Sequence, residues 1–239
     1  MNENIVAPTL RGVFCSDDGQ KTRNIARKIA MRLFAIIALL FVLFGSSARS
    51  EDPEYCYKGL EAHETGNYEL AINSYTRCID LGDLTVGNLA AAYFNRGNAY
   101  YDIGDFDQAI FDYDDAIRLD LSAADAYTNR GLAYIKKDNH RQAIREFDMA
   151  ISADPGFFPA YHNRCLALAL MGRSKEALLD CNYSLRLIPN NPLSLDSRAL
   201  AYWQLDEHDK ARQDLERARE IAPSFATWRE RFLQFEGMF

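Results

Sequence analysis

Side chains able to do chemistry are scarce in this chain, and those that recur do so in register. The four histidines, His63, His140, His162 and His208, are scattered, and none stands with a Ser or Cys nucleophile and an acid to orient it. Paired acids such as Asp114 and Asp115 fall on helix faces away from any definable groove, whereas acid–base chemistry needs a concave site. No histidine recurs at ligand spacing beside a cysteine, so no metal is expected. A Gly-rich phosphate loop is absent too. The reading is therefore of no catalytic residue, no cofactor and no enzyme. What recurs is a step of 34 residues. Arg96, Arg130, Arg164 and Arg198 are each followed sixteen residues later by an acid, Asp112, Glu146, Asp180 and Asp214. The residue before each arginine is Asn95, Asn129, Asn163 and then Ser197.

The elements that must hold these rows are helices. In the stretch Ala90 to Ala123, numbered 1 to 34, apolar or small residues fall at 4, 8 and 11 (Tyr93, Gly97, Tyr100) and at 20, 24 and 27 (Ala109, Tyr113, Ala116). Each half carries one helical stripe. Gly104 and Asp105 between them end one helix and cap the next. Sliding forward by 34 brings Tyr127, Gly131, Tyr134, Ala143, Phe147, Ala150 and Pro155 into line, then Tyr161, Ala177 and Pro189, then Tyr202, Ala211, Ala218 and Pro223. Sliding backward aligns Tyr55, Gly59, Gly66, Ala71, Tyr75 and Cys78, with about four extra residues around Val86 to Leu89 lengthening the link to the next unit. This spacing resembles the tetratricopeptide repeat, apart from arginine at position 7, where that family more often has Leu. The resemblance implies an all-α fold, a right-handed α-solenoid of about five helix-turn-helix repeats (52–85, 90–123, 124–157, 158–191 and 192–225) within a domain spanning 52–225.

Residues 1–50 stand outside the pattern. An apolar run over 33–44 follows Lys21, Arg23, Arg27, Lys28 and Arg32 and precedes small residues at 45–50, the layout of a signal peptide with an extended basic n-region. Met31 and Arg32 would themselves open an ordinary signal peptide. The run is short beside the roughly 20 residues a membrane span requires. Export, in the manner of a bacterial periplasmic protein, is expected, the alternative being an inner-membrane anchor that touches the membrane only through 33–44. Residues 1–50 hold seven of the 27 basic and three of the 34 acidic residues, so the remainder carries 20 against 31, a net charge of about −11. Such a body disfavours nucleic acid, whose phosphates demand Lys and Arg.

In repeat numbering Cys56 and Cys78 fall at 5 and 27, and Cys165 and Cys181 at 8 and 24, each pair split between the two helices of one hairpin. Both pairs are candidates for disulfides, although four cysteines allow three connectivities and each could simply be a small buried residue.

The arginine and acid rows occupy positions 7 and 23, neighbours across a hairpin. They predict ion pairs within each repeat, or between a carboxylate and the arginine of the next first helix, because the guanidinium fork matches a carboxylate. His140 and His208 at position 17 stand where Tyr68 and Phe106 pack the hairpin turn in other repeats. In the family, positions 2, 5, 6, 9, 12 and 13 of the first helix project inward. Here they give a candidate peptide groove of Phe94, Asn95, Asn98, Tyr101, Thr128, Asn129, Leu132, Ile135, His162, Asn163, Leu166, Ser197, Leu200 and Trp203, with the asparagines offering donor and acceptor to a peptide backbone. The family's carboxylate clamp would add cations. Phe94, Asn98, Asn129, Pro159 and Asn163 supply its asparagines and none of its cations.

After Pro223, Phe225, Trp228, Phe232 and Phe235 share one side of a segment expected to form a capping helix over 226–239, since a terminal repeat must cover its apolar face. The sequence thus predicts a non-enzymatic scaffold binding a protein or peptide in its groove. The alternatives are a membrane-anchored assembly factor of the cell envelope and an accessory subunit of an enzyme.

Overall fold

A computed structural model describes residues 52–82, 84–120 and 123–223. The apolar run at 33–44 and the expected cap at 226–239 lie outside the described residues. Within these, ten helices follow one another and no strand occurs: α1 (Asp52–Glu64), α2 (Tyr68–Leu81), α3 (Val86–Ile103), α4 (Phe106–Leu119), α5 (Ala124–Lys136), α6 (His140–Ala153), α7 (Phe158–Leu170), α8 (Ser174–Leu187), α9 (Pro192–Trp203) and α10 (His208–Ile221). Each odd helix forms a hairpin with the next even one, and each even helix packs on the odd helix that follows. Successive odd helices also touch, α7 against α9 most extensively and α1 against α3 and α3 against α5 least. Nearest-neighbour packing of hairpins makes this an all-α solenoid.

Local chemistry sets the hairpins. Position 15 is always left-handed, with Gly66, Gly104 and Gly172 at φ 78°, 88° and 71° and Asp138 and Asp206 at 59° and 60°. Glycine adopts this conformation without strain, and Asp is among the few residues that tolerate it. At the next position Asn67, Asp105 and Asn139 accept hydrogen bonds from the backbone N–H of Leu70, Gln108 and Gln142 at 3.2, 3.2 and 3.3 Å, capping the second helix.

Two small-residue rows let the helices close. Ala71, Ala109, Ala143, Ala177 and Ala211 at position 20 are fully buried. A Cβ on Gly59, Gly97 or Gly131 would stand only 2.7, 2.8 or 2.5 Å from the ring of Tyr75, Tyr113 or Phe147, so each of the first three hairpins closes by an aromatic ring lying flat on a glycine. In the fourth hairpin the same two places hold Cys165 and Cys181, joined as a disulfide with Cα atoms 5.4 Å apart. In the fifth they hold buried Ala199 and Leu215. Cys56 and Cys78 form the second disulfide, between α1 and α2, again with Cα atoms 5.4 Å apart.

The extra residues between the first two hairpins are helical. Thr85 caps α3 by accepting from the Asn88 N–H at 3.2 Å, and no proline follows, so Val86–Leu89 become an added turn on α3 instead of a longer link.

Candidate functional site: the inner face of the odd helices

Arginine at position 7 ties three helices together. Arg96 Nε and Nη2 donate to Asp112 Oδ2 and Oδ1 at 2.8 and 2.7 Å, and Nη1 reaches back to Thr76 Oγ1 at 3.0 Å. Arg130 holds Glu146 Oε2 at 2.9 and 2.6 Å and Asp114 Oδ1 at 2.6 Å. Arg164 holds Asp180 at 2.6 and 2.7 Å and Asp148 at 2.6 Å. Arg198 holds Asp214 at 2.7 Å through two nitrogens and Asn182 at 2.8 Å. Every guanidinium therefore spans the acid of its own repeat and a residue at position 25 of the one before. Tyr93, Tyr127 and Tyr161 lie beneath Arg96, Arg130 and Arg164 at 5.5, 5.5 and 5.6 Å, and Tyr202 does the same for Arg198 at 5.7 Å. Its hydrogen bonds to Asp180, opposed by the cost of burial, hold Arg164 well above its ordinary pKa, so it stays charged.

The sequence reading missed the position-25 row. Its signal is a hydrogen-bonding side chain, Thr76, Asp114, Asp148 or Asn182, recurring at the 34-residue step. It also missed two alanine rows. Positions 3 and 10 are Ala92, Ala126, Ala160 and Ser194, and Ala99, Ala133, Ala167 and Ala201, all buried where an odd helix meets its predecessors. On α1 the same places carry Glu54 and Glu61, both exposed.

The fourteen residues read as a groove divide by burial. Thr128, Leu132, His162, Asn163, Leu166 and Ser197 are buried, packed where α5, α7 and α9 crowd together. His162 Nδ1 lies 3.4 Å from Ser194 Oγ, which pairs with Ser184 Oγ at 2.8 Å, and burial pulls the imidazole pKa down to about 4. Ile135 and Leu200 are half-buried. Tyr101 and Trp203 pack in the hairpin turns against Phe106 and His208, with ring centroids 5.4 and 4.2 Å apart. Phe94 leans on Tyr113 at 5.9 Å. Asn98 Oδ1 accepts from Tyr113 Oη and Asn129 Nδ2, both at 2.8 Å, so two of the asparagines bond each other across α3 and α5. Asn95 is half-buried beside them.

The open part of this face lies at α1 and α3. Tyr57 and Leu60 occupy positions 6 and 9 of the first repeat and are 64% and 43% exposed, whereas the same positions on α7 are buried. His63 stands edge-on to Tyr68 at 5.4 Å, and its Nε2 is 3.0 Å from Asp102 Oδ2 on α3. Sliding the template back by one repeat identifies Tyr57 and Leu60 from sequence, although they were not among the fourteen. Among the described residues no group of three or more His, Cys, Asp or Glu could hold a metal, and no helix is long and apolar enough to cross a membrane.

Comparison with known proteins agrees with this architecture. Family models described as "Tetratricopeptide repeat" match residues 55–81, 124–157 and 194–225, and one described as "TPR repeat" matches 97–138. No curated protein matches the sequence. Among solved structures, MamA superposes with a TM-score of 0.61 at 24% identity over 74% of this chain and 94% of its own. A double mutant of MamA RS-1 gives 0.64 at 15% identity over 76% and 99%. YrrB, described as a tetratricopeptide repeat protein with an unusual peptide-binding site, gives 0.58 at 19% identity over 75% and 91%. At these identities the likeness is one of fold. Repeat spacing, stacked hairpins and family matches together place this chain in the tetratricopeptide repeat family.

Proposed function

We propose that this protein is a non-enzymatic, exported interaction module whose ligand is an extended protein segment lying across the inner face of α1, α3 and α5. The observation that carries the reading is the exposure of Tyr57 and Leu60 at positions that are buried or half-buried in every later repeat. Apolar side chains left in solvent beside half-buried amides are the combination that peptide grooves use, contact area from the first and backbone hydrogen bonds from the second. Asn95 has its amide available there, while Asn98 and Asn129 are held in place by their mutual bond. The arginine row serves the scaffold and not the ligand, because each guanidinium already satisfies a carboxylate. Two disulfides support an oxidising compartment, in keeping with a periplasmic location.

Panning a random peptide display library against the protein tests the reading. Enriched peptides should lose at least about tenfold in affinity for a Tyr57→Ser/Leu60→Ser variant, the scale of removing interface anchors. Peptides that bind the variant as well as the parent would refute it.

A further inference from the structure

The charges around the open face select the partner. On the inner positions of α1, α3 and α5 the charged residues are Glu64, Asp102 and Asp125, against Lys136 alone. The other cations close by are already engaged. Arg96 and Arg130 are bound by Asp112 and Glu146, Lys58 pairs with Glu54 on the outer side of α1 at 2.8 Å, and Lys137 is paired with Asp107. Asp102 faces His63, whose ring lies between it and Tyr68. The apolar contacts offered beside these carboxylates are Tyr57 and Leu60.

We infer that the segment bound here is a basic and apolar peptide, Lys or Arg alternating with large aliphatic or aromatic residues. This inference rests on the groove reading above and adds the chemistry of its occupant. An extended strand turns alternate side chains to opposite sides, so one set meets Tyr57 and Leu60 while the other meets exposed Glu64 and the Asp102–His63 pair. Three adjacent helices at interaxial spacings of about 8–10 Å span roughly 18 Å. An extended chain covers that in about six residues. Complementary charge speeds encounter and rejects acidic competitors, which suits a face where Lys136 is outnumbered by Glu64, Asp102 and Asp125. An acidic C-terminal tail, the ligand of clamps built from lysine and arginine, meets repulsion here.

Three fluorescent octapeptides of alternating residues, Lys with Leu, Glu with Leu and Lys with Ser, titrated into the full chain by fluorescence anisotropy, test this. The Lys/Leu peptide should bind about tenfold more tightly than the Glu/Leu peptide at low salt, and the gap should shrink toward about 0.5 M salt as charges are screened. Lys/Ser should bind more weakly than Lys/Leu, because it lacks the apolar half. A Glu64→Gln/Asp102→Asn variant should lose most of the preference for lysine, while an Asp209→Asn/Glu216→Gln variant on the exposed side of α10 should keep it. Equal or tighter binding of Glu/Leu would overturn the charge inference and leave the groove standing, and so would loss of the preference in the α10 variant, which would trace it to the acidic domain as a whole. Lys/Ser binding as tightly as Lys/Leu would overturn the apolar half. Binding of none of the three would overturn the groove reading itself.

Discussion

Arg130 and Asp114 sit on α5 and α4, in different repeats, and their Nη1–Oδ1 separation is 2.6 Å while the same guanidinium grips Glu146 on α6. One side chain thereby fixes the rotation of three successive helices. The two partners differ in burial, since Glu146 is 4% exposed and the Asp114 side chain 54%. A buried carboxylate stripped of its cation is costly, whereas an exposed pair contributes little. Arg130→Leu should therefore cost about 3 kcal/mol and Arg130→Leu/Glu146→Leu much less, with Asp114→Asn below about 1 kcal/mol. Urea titrations of the variants measure this, and additivity of the Arg130 and Glu146 changes would show that the pair does not interact.

The ring-on-glycine contact sets a second expectation. At Gly131 a Cβ would lie 2.5 Å from Phe147, so Gly131→Ala should cost about 1–3 kcal/mol by overpacking, despite alanine's better helix propensity. Adding Phe147→Leu should return part of the loss in thermal melts.

The same geometry explains the fourth hairpin. Cys165 and Cys181 take the places of glycine and ring, sixteen residues apart in sequence, and a bridge closing such a loop contributes about 3 kcal/mol. Mass mapping without reductant should find neither thiol alkylated. Cys165→Gly/Cys181→Phe should recover more stability than Cys165→Ala/Cys181→Ala, since it restores the packing of the third hairpin.

His162 makes stability depend on pH. Its folded pKa of about 4 lies below the 6.5 of an exposed imidazole, so the folded state favours the neutral ring and the unfolded chain binds the proton first. The contribution is complete above about pH 6.5 and fades as pH falls toward 4, reaching a loss of about 2 kcal/mol by pH 5. The urea midpoint should fall more steeply between pH 7 and pH 5 for the parent than for His162→Gln.

The repeat, its hairpins and the Arg–acid rows were legible in the sequence because each is fixed by side chains at constant spacing within one unit. The position-25 partners and the alanine rows were equally periodic, but they act between units, where a single-repeat template does not look. The division of the inner face was not legible. Thr128, His162 and Ser197 are polar residues of the kind that lines an open groove, yet they are buried because α5, α7 and α9 crowd together. That crowding follows from the small rotation between successive hairpins, which no single residue encodes. Tyr57 and Leu60 had the opposite fate, apolar by type and exposed by place.

Hydrogen exchange with and without a saturating panned peptide tests the central claim most directly. Protection confined to residues 57–64, 94–102 and the start of α5, with 158–170 and 192–203 unchanged, is the result expected of a ligand on the open half of the face. Protection concentrated on α7 and α9 would contradict it.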